Sequence, residues 1–145
     1  MKTDEIRHAL RNVRQFGNVY SVDTLPRRPR GLLVCNLDVS YRPGTHWVVI
    51  YVDGDSGRGE YFDSFGRPPS APIRAYLDRW CKRRWTYNDR QLQSVVSLLC
   101  GQYCIFYCAL RDKGITLRQI VNCFTTDTAL NDELVHAFAC RRRFN

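Results

Sequence analysis

The chain has 145 residues, enough for one compact domain with a proper core, so residues 1–145 are interpreted as a single unit. With 44% hydrophobic and 25% charged residues, the sequence excludes a disordered or fibrous chain, and no apolar run reaches the roughly 18 residues that cross a bilayer. The formal net charge of +8 favours contact with polyanions.

Seven cysteines are the first chemical feature of the sequence. Their number is odd, and the N-terminal segment MKTDEIRHAL is too charged for a secretory signal peptide. Because disulfides are rare in reducing compartments, we expect free thiols in an intracellular protein that does not enter a membrane. At least one thiol is then available for chemistry.

The N-terminal half predicts one helix and three strands. Thr3 and the apolar spacing after it indicate a helix that ends near Gly17, and segment 19–30 indicates an extended connector with exposed arginines. Residues typical of strands follow in LLVCN, HWVVIYV and EYFDSF. The middle strand is almost continuously apolar, as expected for a strand covered on both faces. The turn residues DGDSGRG join the last two strands into a hairpin.

The C-terminal half is mainly helical by the same criteria. Apolar residues three and four apart predict a helix over 73–83, and WTYNDRQLQSVV predicts a short strand and a loop. The pattern CGQYCIFYCALRDKG predicts a buried helix closed by Gly114, with Cys100 in its first turn. One or two further helices follow, the last capped by Asn131 or Asp127 and ending in a basic tail.

Cys100 is the candidate nucleophile. A thiol at a helix N-terminus has a lowered pKa, because the helix dipole and the free N–H groups favour the thiolate. Gly101 beside it permits close approach of a substrate backbone. Thiol catalysis also needs an imidazole, a group that orients the imidazole, and hydrogen-bond donors for the oxyanion.

Three histidines could supply the imidazole. His8 and His136 fall within charged helices and are interpreted as surface or packing residues. His46 begins a buried strand directly after the turn Pro43-Gly44-Thr45, a position that presents its side chain to a cleft beside the sheet. A purely structural histidine is the alternative at this position.

Asp63, on the neighbouring strand, is the candidate orienting carboxylate, and its alternative role is to cap the FGRPP loop. Side chains alternate along a strand, so the register of the hairpin decides whether Asp63 and His46 share a face. Pairing of Val52 with Glu60 would separate them. Pairing of Val52 with Gly59, or one bulge, would bring them to the same face, and we therefore predict that arrangement.

The oxyanion donors could be the backbone N–H of Cys100 and the side chain of Gln93 or Gln91. The alternative for either glutamine is a solvent-exposed loop residue. Trp47 follows the histidine and either packs in the core or forms a wall of the cleft.

The segments GTHWVVIYV, YFDSFG, Gln93-Ser94-Val95 and CGQYC together resemble the adenovirus-type cysteine endopeptidases (adenain family), relatives of the SUMO and ubiquitin-like-protein proteases. The order His, acid, Gln, Cys-Gly is the order of that family. The spacings from His46 to Asp63 and from Gln93 to Cys100 resemble those of the adenovirus enzymes, which selects Gln93 over Gln91. FGNVYSVDTLP and LLVCN extend the resemblance over most of the chain.

The resemblance implies an α+β protein with a papain-like cysteine protease fold in permuted order, in which a mixed or antiparallel sheet packs against helices. It implies Cys100 as nucleophile, His46 as general base and acid, Asp63 as its orienter and Gln93 as oxyanion donor. The implied function is a thiol endopeptidase of a virus or virus-like mobile element. Its substrates would be precursor polyproteins or capsid proteins cut in the host nucleus or virion, often at glycine-containing sites, without a cofactor.

The sequence departs from the adenovirus pattern in two places. Asp63 stands where those enzymes have Glu, as in the SUMO-type relatives, and Ser94-Val95-Val96-Ser97 replaces the Gly-Pro-Asn that follows their glutamine. The resemblance also implies activation by a peptide or by DNA. Cys81 lies near the position of the peptide-linked cysteine, but its place on an apolar helix stripe favours packing.

Three basic clusters could contact DNA or simply face solvent. They are Arg27, Arg28 and Arg30; Arg79, Lys82, Arg83 and Arg84; and Arg141, Arg142 and Arg143.

Two other functions stay open on the sequence alone. One is a protease that removes ubiquitin-like modifiers, and the other is a non-catalytic, basic nucleic-acid-binding module that retains the fold. A metal site is not expected, because Cys100, Cys104 and Cys108 would spread over about 12 Å along a helix, too far for a tetrahedral zinc site.

Overall fold

A computed structural model describes residues 1–40 and 46–144 of the chain. The predicted turn Pro43-Gly44-Thr45 lies outside the described residues. In chain order the elements are α1 (Thr3–Leu10), β1 (Phe16–Ser21), β2 (Gly31–Asn36), β3 (Trp47–Val52), β4 (Arg58–Phe62), α2 (Ala71–Trp80), β5 (Arg84–Tyr87), α3 (Cys100–Asp112), α4 (Leu117–Val121) and α5 (Thr128–Phe144).

The five strands form one mixed sheet in the order β1-β2-β3-β4-β5. The outer strands β1 and β5 run parallel to their neighbours, whereas β2, β3 and β4 pair antiparallel. Every residue of β3 is buried, which confirms the prediction from its continuous apolar run. The α+β class and the mixed sheet packed against helices are also confirmed.

Helices cover both faces of the sheet. On one face α1, α3, α4 and α5 enclose a core that includes Val34, Val49 and Phe62, and the ring of Phe62 stacks on Tyr107 of α3 with centroids 4.6 Å apart. On the other face α2 contributes Ile73 and Leu77 to a second core. The start of α3 therefore lies against the sheet, close to His46 and Asp63, which directly precede β3 and directly follow β4.

Several predicted boundaries are wrong for reasons of tertiary structure. α1 ends at Leu10 instead of near Gly17, because Phe16–Ser21 leaves the helical pattern to pair with β2 as the unpredicted strand β1. α2 ends at Trp80 because the chain enters β5 at Arg84.

The C-terminal helices follow the prediction more closely. α3 begins at Cys100, and two further helices follow it. Asp127 caps α5, since its Oδ1 accepts from the N–H groups of Ala129 and Leu130. Asn131 is not a cap, because it lies inside α5 with its amide donating to the Leu92 carbonyl. Within the described ranges, none of the helices is both long and apolar enough to span a membrane.

Candidate active site

The register of the β3–β4 hairpin brings His46 and Asp63 together. Val52 pairs with Gly59 and Val49 with Phe62, which confirms the predicted register. Continued toward the end of the hairpin, this register leaves residues 46 and 63 on the same face of the sheet. His46 Nε2 and Asp63 Oδ1 are 2.7 Å apart, a hydrogen-bonding distance.

Asp63 is held rigidly by its surroundings. Its side chain is buried, and Oδ1 also accepts the backbone N–H of Phe65 at 2.9 Å, so one carboxylate oxygen contacts the histidine and caps a turn at once. The turn closes through Gly66, whose φ of +70° and close approach to the Arg90 backbone suit glycine. The turn-capping alternative for Asp63 is therefore present, and its role as the orienting carboxylate stays a prediction.

Asn88, which the sequence did not single out, clamps the same residue. Its side-chain oxygen accepts from the Asp63 N–H at 3.0 Å, and its amide donates to the Asp63 carbonyl at 2.6 Å. Asn88 is itself buried and follows β5, the strand beside β4. A polar residue directly after a short edge strand was the only sequence signal for this role.

His46 contacts both candidate partners. Because Nε2 faces Asp63, Nδ1 is the ring nitrogen left for the sulfur of Cys100, with which the ring shares a side-chain hydrogen bond. Burial by itself would lower the pKa of His46, but the hydrogen bonds to Asp63 and Cys100 and their negative charges raise it to about 9. The ring is therefore positively charged near neutral pH.

Cys100 is the first residue of α3, where the helix dipole favours a thiolate. Burial opposes ionisation, yet hydrogen bonds from His46 and from the backbone of Trp47 and Gly101, together with the His46 charge, lower the pKa of Cys100 below its ordinary value. The opposite shifts of the two groups favour a thiolate–imidazolium pair.

The other buried thiols contrast with Cys100. All seven cysteines are free, but burial raises the pKa of Cys81 to about 11 and of Cys35 to about 12, and raises that of Cys104 well above its ordinary value. These three therefore pack as apolar groups, as expected for Cys81 and Cys104. Over residues 1–40 and 46–144, no cluster of three His, Cys, Asp or Glu side chains could hold a metal ion.

Gln93 lies beside this site, and its side-chain amide is hydrogen-bonded within the protein. Its Nε2 donates to the carbonyl of Ser97 at 3.0 Å and to the Ser97 hydroxyl oxygen at 2.9 Å, so both amide hydrogens are engaged. Its Oε1 accepts from the buried hydroxyl of Ser64 at 2.6 Å. Gln93 thus joins the residue after Asp63 to the segment before Cys100, and oxyanion donation by Gln93 stays a prediction. Gln91 donates to the Gln93 carbonyl.

Met1 packs against Gly101, the residue that follows Cys100. The Trp47 indole N–H donates to the Met1 carbonyl at 3.2 Å, and a Cβ added to Gly101 would lie 3.0 Å from Met1 Cβ. Gly101 therefore accommodates Met1 in this structure. Trp47 is buried and lines a cleft of about 530 Å³, together with Met1, Lys2 and Asn36. The predicted core position of Trp47 is confirmed, and its role as a wall of the catalytic cleft stays a prediction, because this cleft includes neither His46 nor Cys100.

His8 and His136 lie on the exposed surfaces of α1 and α5, as predicted. His136 Nε2 is 3.7 Å from the sulfur of Cys140 on the same helix. Neither histidine belongs to the Cys100 site.

The chain is similar in sequence to known proteins. The chain is 30% identical over 126 residues to a cysteine protease of African swine fever virus, a match that covers 77% of this chain and 45% of the viral protein. The chain is homologous to viral cysteine proteases. Forms of that viral protein from other isolates, 29% identical, are named SUMO-1 cysteine protease. No protein-family model matches the chain.

Solved structures show the same fold. A crystal structure of the African swine fever virus protease matches with a TM-score of 0.55 and 26% identity over 75% of this chain and 44% of that one. The SUMO protease Ulp1 matches with a TM-score of 0.53 and 13% identity over 99% of this chain and 74% of that one, a likeness of fold alone. The relationship is thus to SUMO-protease-like enzymes, not specifically to the adenovirus-type enzymes. The chain spans about half the length of the curated viral relatives it matches.

Proposed function

We propose that the chain is a cysteine protease that hydrolyses peptide bonds with Cys100 as nucleophile, His46 as acid and base, and Asp63 as the group that orients His46. The observation that carries this proposal is the 2.7 Å contact between His46 and Asp63, with the same ring hydrogen-bonded to the thiol at the start of α3. A buried imidazole with these two partners is the arrangement that nucleophilic thiol catalysis requires.

The proposed reaction runs in two halves. The Cys100 thiolate attacks the substrate carbonyl carbon, and the C–N bond breaks as the His46 imidazolium donates its Nδ1 proton to the leaving amine. Water then attacks the resulting thioester while His46 takes the water proton, which releases the acid and restores the thiolate. The nucleophile and the group that transfers protons both belong to the chain itself.

The tetrahedral oxyanion needs donors in both halves. The Cys100 N–H is available because the first N–H groups of a helix have no acceptor within the helix. In our proposal Gln93 becomes the second donor when the oxyanion displaces Ser97 from one of its two amide hydrogens. Ser97 then keeps the other hydrogen.

The proposed substrates are proteins, cut at glycine-containing sites as in precursor or capsid proteins. A second candidate, the removal of a SUMO-like modifier, is favoured by the relatives named SUMO-1 cysteine protease. A SUMO protein that carries a C-terminal electrophile distinguishes the two, because a modifier protease forms a covalent adduct at Cys100 and a precursor endopeptidase does not.

Alkylation by iodoacetamide near pH 7 tests the proposed site. We expect Cys100 to be modified first among the seven cysteines, as mapped by mass spectrometry, and to react more slowly in His46→Ala. The exposed helix histidine His136 gives a matched control, because His136→Ala leaves this rate unchanged. Equal labelling of all cysteines in the wild-type chain would contradict the proposal.

We also propose that polyanions such as DNA bind the end of the sheet opposite Cys100. Two of the predicted basic residues form ion pairs elsewhere: Arg30 with Asp55 and Arg143 with Glu5. Arg58, Arg83 and Arg84 instead line a cleft of about 460 Å³ and have no carboxylate partner among residues 1–40 and 46–144. Activation of catalysis by DNA or by a peptide is a separate prediction, tested by adding either to a cleavage assay.

A further inference from the structure

The segment between Gln93 and Cys100 holds three large apolar side chains in solvent. Val95, Val96 and Leu98 are 73%, 87% and 87% exposed. The Ser97 N–H donates to the Ser94 carbonyl, so the two valines occupy the centre of a tight turn. Glycine, proline, asparagine, aspartate and serine dominate such positions, and β-branched valines are unusual there. We name Val95, Val96 and Leu98 the apolar turn.

Buried and partly buried hydrogen bonds hold the apolar turn in its outward position. The side chain of Gln93 links the turn to the protein, because its Nε2 donates to Ser97 and its Oε1 accepts from the hydroxyl of Ser64. Asp132 of α5 accepts the Ser94 N–H and the hydroxyl of Tyr103. Folding the apolar side chains back onto the protein would break this network, which would leave buried polar groups without partners. The exposure is therefore part of the folded structure.

The apolar turn is also close to the nucleophile. Leu98 is two residues from Cys100, so their Cα atoms lie within about 7.6 Å of each other. By the same limit, Val96 lies within about 15 Å of Cys100. A polypeptide that presents a carbonyl carbon to the Cys100 sulfur therefore places its neighbouring side chains within reach of these residues.

We propose that the apolar turn is a wall of the substrate cleft and selects polypeptides with a large apolar side chain within a few residues of the scissile bond. This inference rests on the proposed protease function and names the substrate class of that site. The continuity of the turn with the nucleophile identifies the substrate as its occupant. An apolar substrate side chain that covers Leu98 or Val96 would remove both surfaces from water, which favours the complex.

The test uses a library of peptides from a digested proteome, incubated with the full chain, with cleavage sites identified by mass spectrometry. We expect Leu, Ile, Val, Phe or Met to be enriched at one or two positions beside the cleaved bond. In Leu98→Ser and Val96→Ser this enrichment is lost, and kcat/KM for a peptide with the preferred apolar residue falls about tenfold or more. A matched peptide with alanine at that position loses much less.

Phe144→Ser provides the control variant, because Phe144 at the end of α5 is 88% exposed, like Leu98. It should cleave with the wild-type preference. The iodoacetamide rate at Cys100 and the thermal unfolding midpoint should be unchanged in all three variants, which separates loss of substrate binding from loss of the nucleophile or of the fold.

Each other result has a definite meaning. Cleavage without apolar preference, or a preference that Leu98→Ser and Val96→Ser retain, overturns the inference but leaves the protease. Absence of any cleavage by a chain whose Cys100 is not selectively alkylated overturns the proposed function itself. A wild-type dimer that these variants convert to a monomer, with cleavage preference unchanged, assigns the apolar turn to a second copy of the chain and also overturns the inference.

Discussion

The two ends of the β3–β4 hairpin differ in how they hold charge. At one end His46 and Asp63 are joined at 2.7 Å in a largely buried site beside Cys100. At the other end Arg58 and Arg84 are exposed and directly paired in register between β4 and β5. The net charge of +8 points to the second end as a binding surface, but the residues suited to catalysis lie at the first end. Burial strengthens the effect of neighbouring charges on the pKa of a titratable group. A few charges in a buried site can therefore shift a pKa more than many charges in solvent.

Removal of the His46 imidazole should have the largest effect on catalysis of all the changes at the two ends of the hairpin. His46→Ala leaves no group to charge the thiol or to protonate the leaving amine, and we expect hydrolysis of a cleavable peptide to slow by about 10⁴-fold. His136→Ala should retain wild-type kcat/KM. An equal loss in both variants would mean that the effect is on folding and not on chemistry.

Asn88→Ala tests whether the rigid support of Asp63 matters. The change leaves the N–H and carbonyl of Asp63 without their side-chain partners in a buried site, which should lower the free energy of unfolding by about 1–3 kcal/mol. We expect kcat to fall by about tenfold as well, because misplacement of the oriented groups reduces the rate. Denaturant unfolding and steady-state kinetics measure the two effects.

Asn12 is exposed and serves as the control for Asn88. If Asn12→Ala and Asn88→Ala were equally stable and active, the clamp would have no function in the site.

The pH dependence of Cys100 sharpens the same comparison. Because its pKa is lowered, the alkylation rate of Cys100 should rise at a lower pH than that of a free thiol. In His46→Ala the inflection should move upward, toward the value of about 8.5 for a free thiol. Hydrolysis should decline above about pH 9, where His46 loses the proton that it donates to the leaving group. Alkylation that first becomes fast near pH 8.5 in the wild-type chain would contradict the ion pair.

The smallest expected effects concern the arginine end. Arg83→Gln and Arg84→Gln should weaken binding of a short DNA duplex and each reduce the slope of log affinity against log salt by about 1. Peptide hydrolysis should be unchanged, since these residues lie at the opposite end of the hairpin from Cys100. DNA affinity that does not depend on salt, or on either arginine, would contradict DNA binding at this end of the sheet.

Local chemistry made part of the site predictable. The helix start at Cys100 follows from the pattern CGQYCIFYCALRDKG, and the shared face of His46 and Asp63 follows from strand alternation once the hairpin is recognised. Both depend on residues close together in the chain. Strand β1 was missed because its own residues show no clear alternation of apolar and polar side chains. A turn and a connector also separate it along the chain from β2, the strand with which it pairs.

Long-range hydrogen bonds were not predictable in the same way. Gln93 matched a family position by spacing, but its amide partners are Ser97 and Ser64, and no periodicity indicates such a choice. The only signal at Asn88 was a polar residue after a short edge strand, and nothing in the sequence pattern around Met1 pointed to Gly101.

The amino-acid sequence by itself determined which residue types were available for thiol chemistry, in what order they come, and which strands and helices carry most of them, because secondary structure and its periodicity are local properties. Only the tertiary structure decided that the imidazole of His46 lies between Asp63 and Cys100, that Asn88 holds the carboxylate in place, and that Val95, Val96 and Leu98 stay in solvent. Those contacts join residues distant in the chain, and they depend on packing and on the need of each buried polar group for a partner.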